Sequence, residues 1–303
     1  ENTRLIEIVD FEEMQFESAV VESILIFTQK CSVPQNLFDV FKSLNRNVSR
    51  NLSQESFNDN AECKILTAGS EQDSGVISKV KMSSIPLGDV YDVRDGISTG
   101  FKPFPEHLLG QKQGKEFVSL NGDREPFDQK IHKKVIDGGE FNKYTKINWE
   151  GRYIKYDKKI EYHPKPKQGR PFNCQLRDKE IFEQNPKICS RQTSNRLIMT
   201  LDTEAYYTRN SVHNIYPKSE DNGDLRIEYI LALLNSKLLN YIYLKSTQEI
   251  GKVHPQVHIS DLRKLPIKKV VTKEQQPFID IVKDILDVTN STDYVDNPSK
   301  QAK

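Results

Sequence analysis

Between Trp149 and Arg177 the chain reads WEGRYIKYDKKIEYHPKPKQGRPFNCQLR, and its residue types suit one kind of chemistry. Arg152, Lys155, Lys158, Lys159, Lys165, Lys167, Arg170 and Arg177 set eight positive charges against three negative ones on Glu150, Asp157 and Glu161. Tyr153, Tyr156, Tyr162 and Phe172 are interleaved with those charges. Cations neutralise phosphates and flat aromatic faces stack on bases, so the combination suits a nucleic acid. The same pattern also fits a solvated strand whose tyrosines turn into a core.

A second stretch, KICSRQTSNRLIMTLDTEAYYTRNSVHNIYP, alternates strand-like runs with Arg191, Gln192, Asn195, Arg196, Arg209 and Asn210. Arginine matches guanine edges with two parallel donors, asparagine and glutamine match adenine, and lysine meets phosphate as a point charge. The mixture points to base reading as well as backbone holding. Arg191 and Arg209 are the first candidates for contact, followed by Lys155, Lys158, Arg170 and Gln192, with Arg152, Arg196 and Asn210 behind them. Asn195 and Asn210 equally suit turns.

Catalytic equipment is missing from the sequence. It contains no G-x-S-x-G elbow, no H-E-x-x-H zinc site, no G-x-x-x-x-G-K-[ST] phosphate loop and no G-x-G-x-x-G. Asp-Pro-Pro-Tyr and Asn-Pro-Pro-Tyr are absent too. The H-x-K triplets at His132 and His163 lack an aspartate at a phosphodiesterase spacing and read as solvated surface. Glu62–Lys64, ECK, has the shape of half a nuclease motif, but such triplets arise by chance in a charged chain. His254 and His258 are four residues apart, yet Pro255 between them argues for a loop, and no third metal ligand is evident. No catalytic and no metal residue is expected.

With 303 residues the chain can bury a sizeable core, and its net charge of +1 leaves polyanion affinity to local patches. Cys31, Cys63, Cys174 and Cys189 form no C-x-x-C pair, which reads as free thiols in a reducing cytoplasm. No apolar run nears the roughly 20 residues of a membrane span, and no signal peptide opens the chain. It begins at Glu1 and moves straight into TRLIEIVDF, which reads as the middle of a fold and sets the expectation of an excised fragment.

The elements that must hold these side chains follow from periodicity. RLIEIVDF and AVVESILIF read as a strand pair at a sheet edge. From 31 to 80 the pattern weakens into a linker with one short amphipathic helix, NLFDVFKSL. Short strands follow from SSIPLGDVYDVRDGISTGF onward, where Gly96 and Gly100 serve either tight turns or a close approach of the backbone to a ligand. Residues 225–246 carry Ile227, Ile230, Leu231, Leu234, Leu238, Tyr241 and Ile242 at helical steps, with Asp224 as N-cap. A last helix covers 272–288, where Pro277 makes the start ambiguous, and the tail 291–303 is expected to be disordered.

In this order VRDGISTGFKPF, the basic and aromatic stretch, PKICSRQTSNRLIMTLDTEAYYTRNSVHNI, YILALLNSKLLNYIYLKST and LRKLPI resemble the TaqI-like specificity domain of adenine-specific DNA methyltransferases and type II (IIG) restriction-modification enzymes. The resemblance runs from Ser83 to Leu286. It implies an α+β fold: a β-rich target recognition domain over 81–290 with C-terminal helices, preceded at 1–30 by the remnant sheet edge of a methyltransferase domain. It also implies sequence-specific recognition of double-stranded DNA, with a catalytic domain upstream in the same polypeptide. That domain would carry S-adenosylmethionine and, in some relatives, an endonuclease. The glycine-rich cofactor loop and the Pro-Pro-aromatic motif are absent here, so this fragment is not expected to methylate. Lys102, Lys252 and Gln256 join the DNA-contact candidates through the resemblance, and the two histidines of the QEIGKVHPQVH loop become loop residues beside the DNA face. A protein-interaction module built on the C-terminal helices and a self-contained nuclease are the competing readings.

Overall fold

The computed structural model describes residues 3–11, 23–45, 48–57, 71–100, 104–158, 174–218, 224–247 and 255–291. Lys102, Arg170 and Lys252 lie outside them, as do the ECK triplet, His163, His254 and the tail after Ser291. The chain divides into two units, Glu1–Ser74 and Gly75–Lys303.

The first unit is a sheet of β1 (Arg4–Asp10), β2 (Ile24–Gln29), β3 (Leu37–Phe41) and β4 (Val48–Ser53) in the order β2-β1-β3-β4. β1 pairs antiparallel with β2 and parallel with β3, and β3 pairs antiparallel with β4. Leu37–Phe41 is therefore a strand, not the helix its pattern suggests. Leu37 is 59% exposed while Phe38 and Val40 are 1% and 2% exposed, an alternation of period two. Short apolar runs fit either period, and an available parallel partner decides for the strand. Asn36 locks the entry: its Nδ2 donates to the Leu5 carbonyl at 2.7 Å and to Gln54 Oε1 at 2.8 Å.

Helix α1 (Glu71–Met82) runs across the boundary into the second unit, which holds three sheets. β5 (Ile85–Pro86) and the short helix α2 (Leu87–Val90) lead into β6 (Tyr91–Asp95). After helix α3 (Phe104–Leu108) come β7 (Leu109–Gln113), β8 (Glu116–Ser119), β9 (Arg124–Pro126), β10 (His132–Ile136) and β11 (Arg152–Lys155). Helix α4 (Lys179–Glu183) precedes β12 (Lys187–Arg191), β13 (Met199–Asp202), β14 (Tyr207–Thr208) and β15 (Val212–Pro217). One sheet has the order β14-β10-β11-β7-β8-β9, and the second the order β13-β12-β15-β6. The fold class is α+β, as expected from the sequence.

α5 (Ile227–Asn235) packs on β12 and β13 of the second sheet and α7 (Ile259–Arg263) on β6, with α6 (Lys237–Ser246) and α8 (Thr272–Thr289) against α5 in the same core, while β16 (Pro266–Ile267) pairs with β5. Ile227, Ile230, Leu231, Leu234 and Ile242 of the apolar stripe expected over 225–246 are buried, whereas Leu238 is 47% exposed and Tyr241 half-buried, and the stripe belongs to two helices. Ser236 is extended, closes α5 with its N–H on the Leu233 carbonyl at 3.0 Å, and caps α6 by accepting from Leu239 N at 3.1 Å. A serine hydroxyl that satisfies a free helix-end donor makes such a break inexpensive. Asp224 is not the N-cap: it has φ 57°, and the Arg226 N–H at the start of α5 donates to Gln275 Oε1 of α8 at 2.9 Å.

Cys189, Ile136, Phe141, Ile147, Tyr206 and Val212 form the buried seam between the two larger sheets. Lys187 is wholly buried beside it and donates to Asp202 Oδ2 at 2.5 Å and to the carbonyls of Phe182 and Tyr206 at 2.8 and 3.0 Å. All three ammonium donors are thereby used, which is the condition under which a buried lysine is tolerated.

Candidate nucleic-acid interface

β10 ends at Ile136 and the chain turns over Gly138–Glu140. The Asp137 N–H donates to Glu140 Oε2 at 2.5 Å, which aims both carboxylates at the next strand and the loop before β15. Arg152 donates from Nη1 to Asp137 Oδ2 at 2.8 Å and from Nη2 to Glu140 Oε2 at 2.6 Å. Burial works against its charge, but Glu140 and Asp137 outweigh burial and hold the guanidinium above its ordinary basicity. Arg209 brings a second Nη1 to Asp137 Oδ2 at 3.1 Å, and Ser211 Oγ donates to Oδ1 at 2.7 Å. Two of the sequence-selected arginines are thus engaged with carboxylates inside the fold.

Arg191 leaves the end of β12 and runs under the same turn. Its Cγ would lie 3.1 Å from a Cβ at Gly138, so a side chain there would press on it. The guanidinium lies 5.9 Å from the centre of the Phe141 ring and donates to the Phe141 carbonyl and, at 3.3 Å, to Asn142 Oδ1. Burial and the nearby Arg196 lower its basicity. Two of the lysines are also engaged: Lys155 meets Glu125 Oε2 at 2.5 Å, and Lys158 donates to the Arg177 carbonyl and stands 3.7 Å from Asp178.

Tyr153 and Tyr156 of the basic segment are packed. Tyr153 lies edge-on to Trp149 and Phe127 at 5.1 and 5.0 Å, and buried Tyr156 donates its hydroxyl to the Arg177 carbonyl at 2.8 Å. His132 is not surface but 3% exposed, stacked on Phe117 at 4.3 Å and Phe127 at 5.4 Å. Its Nδ1 accepts from the Asp128 N–H at 3.0 Å, which leaves the hydrogen on Nε2 to bond Glu125 Oε1 at 2.7 Å. Burial follows from the aromatic walls, which the H-x-K triplet alone does not reveal.

The amide residues sit differently. The Gln192 N–H donates to the Ser211 carbonyl at 2.9 Å, and its own carbonyl accepts from Val257 N at 2.7 Å. Thr193 bridges Gln256 antiparallel, and Asn210 N donates to the Ile97 carbonyl at 2.9 Å. Backbone bonds thus assemble the tip after β12, the 209–211 loop and the 255–258 segment into one face. Its side chains are half-buried Gln192 and exposed Asn195, Arg196, Asn210 and Gln256. Beneath it His213 bridges Asp95 Oδ1 at 3.0 Å and the Val257 carbonyl at 2.7 Å. That bond to His213, with Arg177 and Arg263 nearby, outweighs burial and holds the Asp95 carboxyl below its ordinary value.

Sequence reasoning overlooked Asp137, Glu140 and Ser211, which decide where the arginines go; the only hint was an acidic pair three residues apart after an apolar strand. Gly96 is explained by packing: a Cβ there would lie 2.1 Å from the Arg209 carbonyl oxygen. Gly100 has φ 74°, the left-handed region that glycine enters freely. His258 lies outside any metal cluster, since no group of three or more His, Cys, Asp or Glu converges among the described residues. No helix among them is long and apolar enough to cross a membrane.

A β-rich module thus gathers four amides and one cation, Arg196, from three separate loops onto one face. Residues 133–267 match the family model of the TaqI-like C-terminal specificity domain. The match runs from β10 to β16 and contains the whole amide face. No curated protein matches the chain significantly in sequence. Among solved structures the fold is similar to that of the type IIL restriction-modification enzyme MmeI, solved in complex with DNA. The TM-score is 0.51 at 12% identity, over 98% of this chain and 39% of MmeI. The type IIG restriction endonuclease BpuSI aligns with TM-score 0.44 and 11% identity over 93% of this chain and 39% of its own. The chain therefore spans about two fifths of the length of either enzyme.

Proposed function

We propose that the chain recognises a specific sequence in double-stranded DNA, as the specificity domain of a restriction-modification enzyme. The observation that carries this reading is the TaqI-like match over 133–267, because the matched segment is the one that builds the amide face. Gln192, Asn210 and Gln256 are assigned to base edges, since amides offer a paired donor and acceptor to adenine. Arg196, exposed at the same tip, is assigned to the DNA as well. Arg152 and Arg209 act as braces that hold the turn at Asp137 and the 209–211 loop in register. Lys155 and Lys158 fix the strand below them.

The catalytic partner of this reading is an adenine-specific methyltransferase domain in the same polypeptide. β2 supports it: Ile24, Leu25, Ile26 and Phe27 are 43–50% exposed on an edge strand, as in a strand that continues into a larger sheet. The sequence lacks a glycine-rich loop and a Pro-Pro-aromatic motif, so these residues do not form an S-adenosylmethionine site. In this reading that cofactor belongs to the partner domain, which would receive an extruded adenine while this domain holds the duplex.

Selection of the full chain against a randomised duplex pool at two salt concentrations tests the proposal. One enriched sequence, bound with an affinity that falls linearly on a logarithmic salt scale, is expected. Absence of both enrichment and salt dependence would sink it.

A further inference from the structure

Next to the amide face lies an open groove of about 1150 Å³, walled by the 139–150 segment, Arg196 and the end of α8. Three cations line it: Lys143, Lys146 and Arg196. Two acids line it as well, but both are taken by Arg152. Glu140 Oε2 lies 2.6 Å from Arg152 Nη2, and Glu150 lies 3.7 Å from Arg152 Nε. Among the described residues no carboxylate reaches Lys143, Lys146 or Arg196, and Lys143 donates only to a neutral carbonyl, that of Asn235 at 3.0 Å.

The cations also work against one another. Burial, and then Arg196, lowers the basicity of Lys143, and the same two causes act on Arg191 just below the groove. Like charges gathered without an acid carry a free-energy cost in the isolated protein that an anion would remove. The groove is wide and open, and Trp149 and Tyr206 are among the residues that line it, so an extended polymer can enter it.

We propose that Lys143, Lys146 and Arg196 form a phosphodiester site that grips the DNA backbone beside the bases read by the amide face. This rests on the DNA-recognition reading and adds to it residues, Lys143 and Lys146, and a role: holding without sequence preference. Lysine suits that role because it meets phosphate as a point charge.

The test measures binding of the full chain to its selected duplex and to a random duplex across a salt series, for the unaltered protein, Lys146→Gln and Arg196→Gln. Lys143→Gln is added with a thermal melt, because that lysine also ties the loop to α5. Each exposed variant is expected to weaken both duplexes equally, by roughly 3- to 10-fold, and to lower the salt slope by about 1. Unchanged slopes in both exposed variants, with sequence preference intact, overturn the phosphate site while leaving DNA recognition standing. Loss of preference at constant slope also overturns it, since the cations would then read bases. Stability loss with unchanged binding means that they only compensate the carbonyl end of α8, which overturns it too. Inorganic phosphate at matched ionic strength separates the sources: displacement beyond that by chloride marks a free-anion site and rejects the backbone assignment. If the unaltered chain binds no duplex at all, both readings fall together.

Discussion

Arg209 Nη1 lies 3.1 Å from the Oδ2 of Asp137, a residue 72 positions earlier in the chain. The pair fastens the loop before β15 to the turn after β10, and Arg152 meets the same oxygen from β11. Arg209→Ala is expected to cost about 1–2 kcal/mol of stability, because Asp137 keeps Arg152 and Ser211 as partners. Urea unfolding checks it: an unmoved midpoint alongside a large loss of DNA affinity would make Arg209 a contact instead of a brace.

Lys187 and Asp202 form a fully buried ion pair, and Asp202 also accepts from the N–H groups of Glu204 and Tyr206. Lys187→Met leaves that carboxylate without its counter-charge and is expected to cost about 3–5 kcal/mol. Adding Asp202→Asn should recover part of the loss, a coupling that a double-mutant cycle in urea measures. Equal and additive losses would mean that the pair is not coupled.

Acid should loosen the support of the amide face. Asp95 is held below its ordinary value of 3.8, first by its bond to His213 and then, against burial, by Arg177 and Arg263. A depressed carboxyl contributes stability that is fully present above the unfolded value and is lost as pH falls through the folded one. The native state should therefore weaken as pH drops below 3.8, and Asp95→Asn should flatten that part of the stability curve while lowering stability at neutral pH. Unfolding free energies between neutral and strongly acid pH decide it, and parallel curves for the two proteins would refute the assignment.

Gln192→Ala and Asn210→Ala are expected to relax preference at single positions of the selected duplex, each costing about 1–3 kcal/mol on that duplex and little on a random one. Their salt slopes should match the unaltered chain, because no charge is removed. A uniform loss on both duplexes would assign these amides to backbone contacts.

Much of this was legible along the chain. The apolar steps of 227–242 and 278–286 mark helices wherever they occur, because a buried stripe must recur with the helical period. The ordered set of segments from Ser83 to Leu286 pointed to the specificity-domain family, and the match over 133–267 lies within it. The strand at Leu37–Phe41 was misread because five residues fit both periods, and its identity depends on a partner some thirty residues earlier, β1.

The candidate face shows the division most clearly. Sequence by itself determined that arginines, lysines and amides are concentrated between Arg152 and Asn210, and therefore what kind of ligand they suit. Which of them remain available was decided only in three dimensions. Asp137 lies 15 residues from Arg152 and 72 from Arg209, and Gln256 reaches Thr193 from a different segment. A charge is spent or left over according to the carboxylates that folding brings within about 4 Å of it. That distance is a property of the packed chain, and no local pattern of residue types contains it.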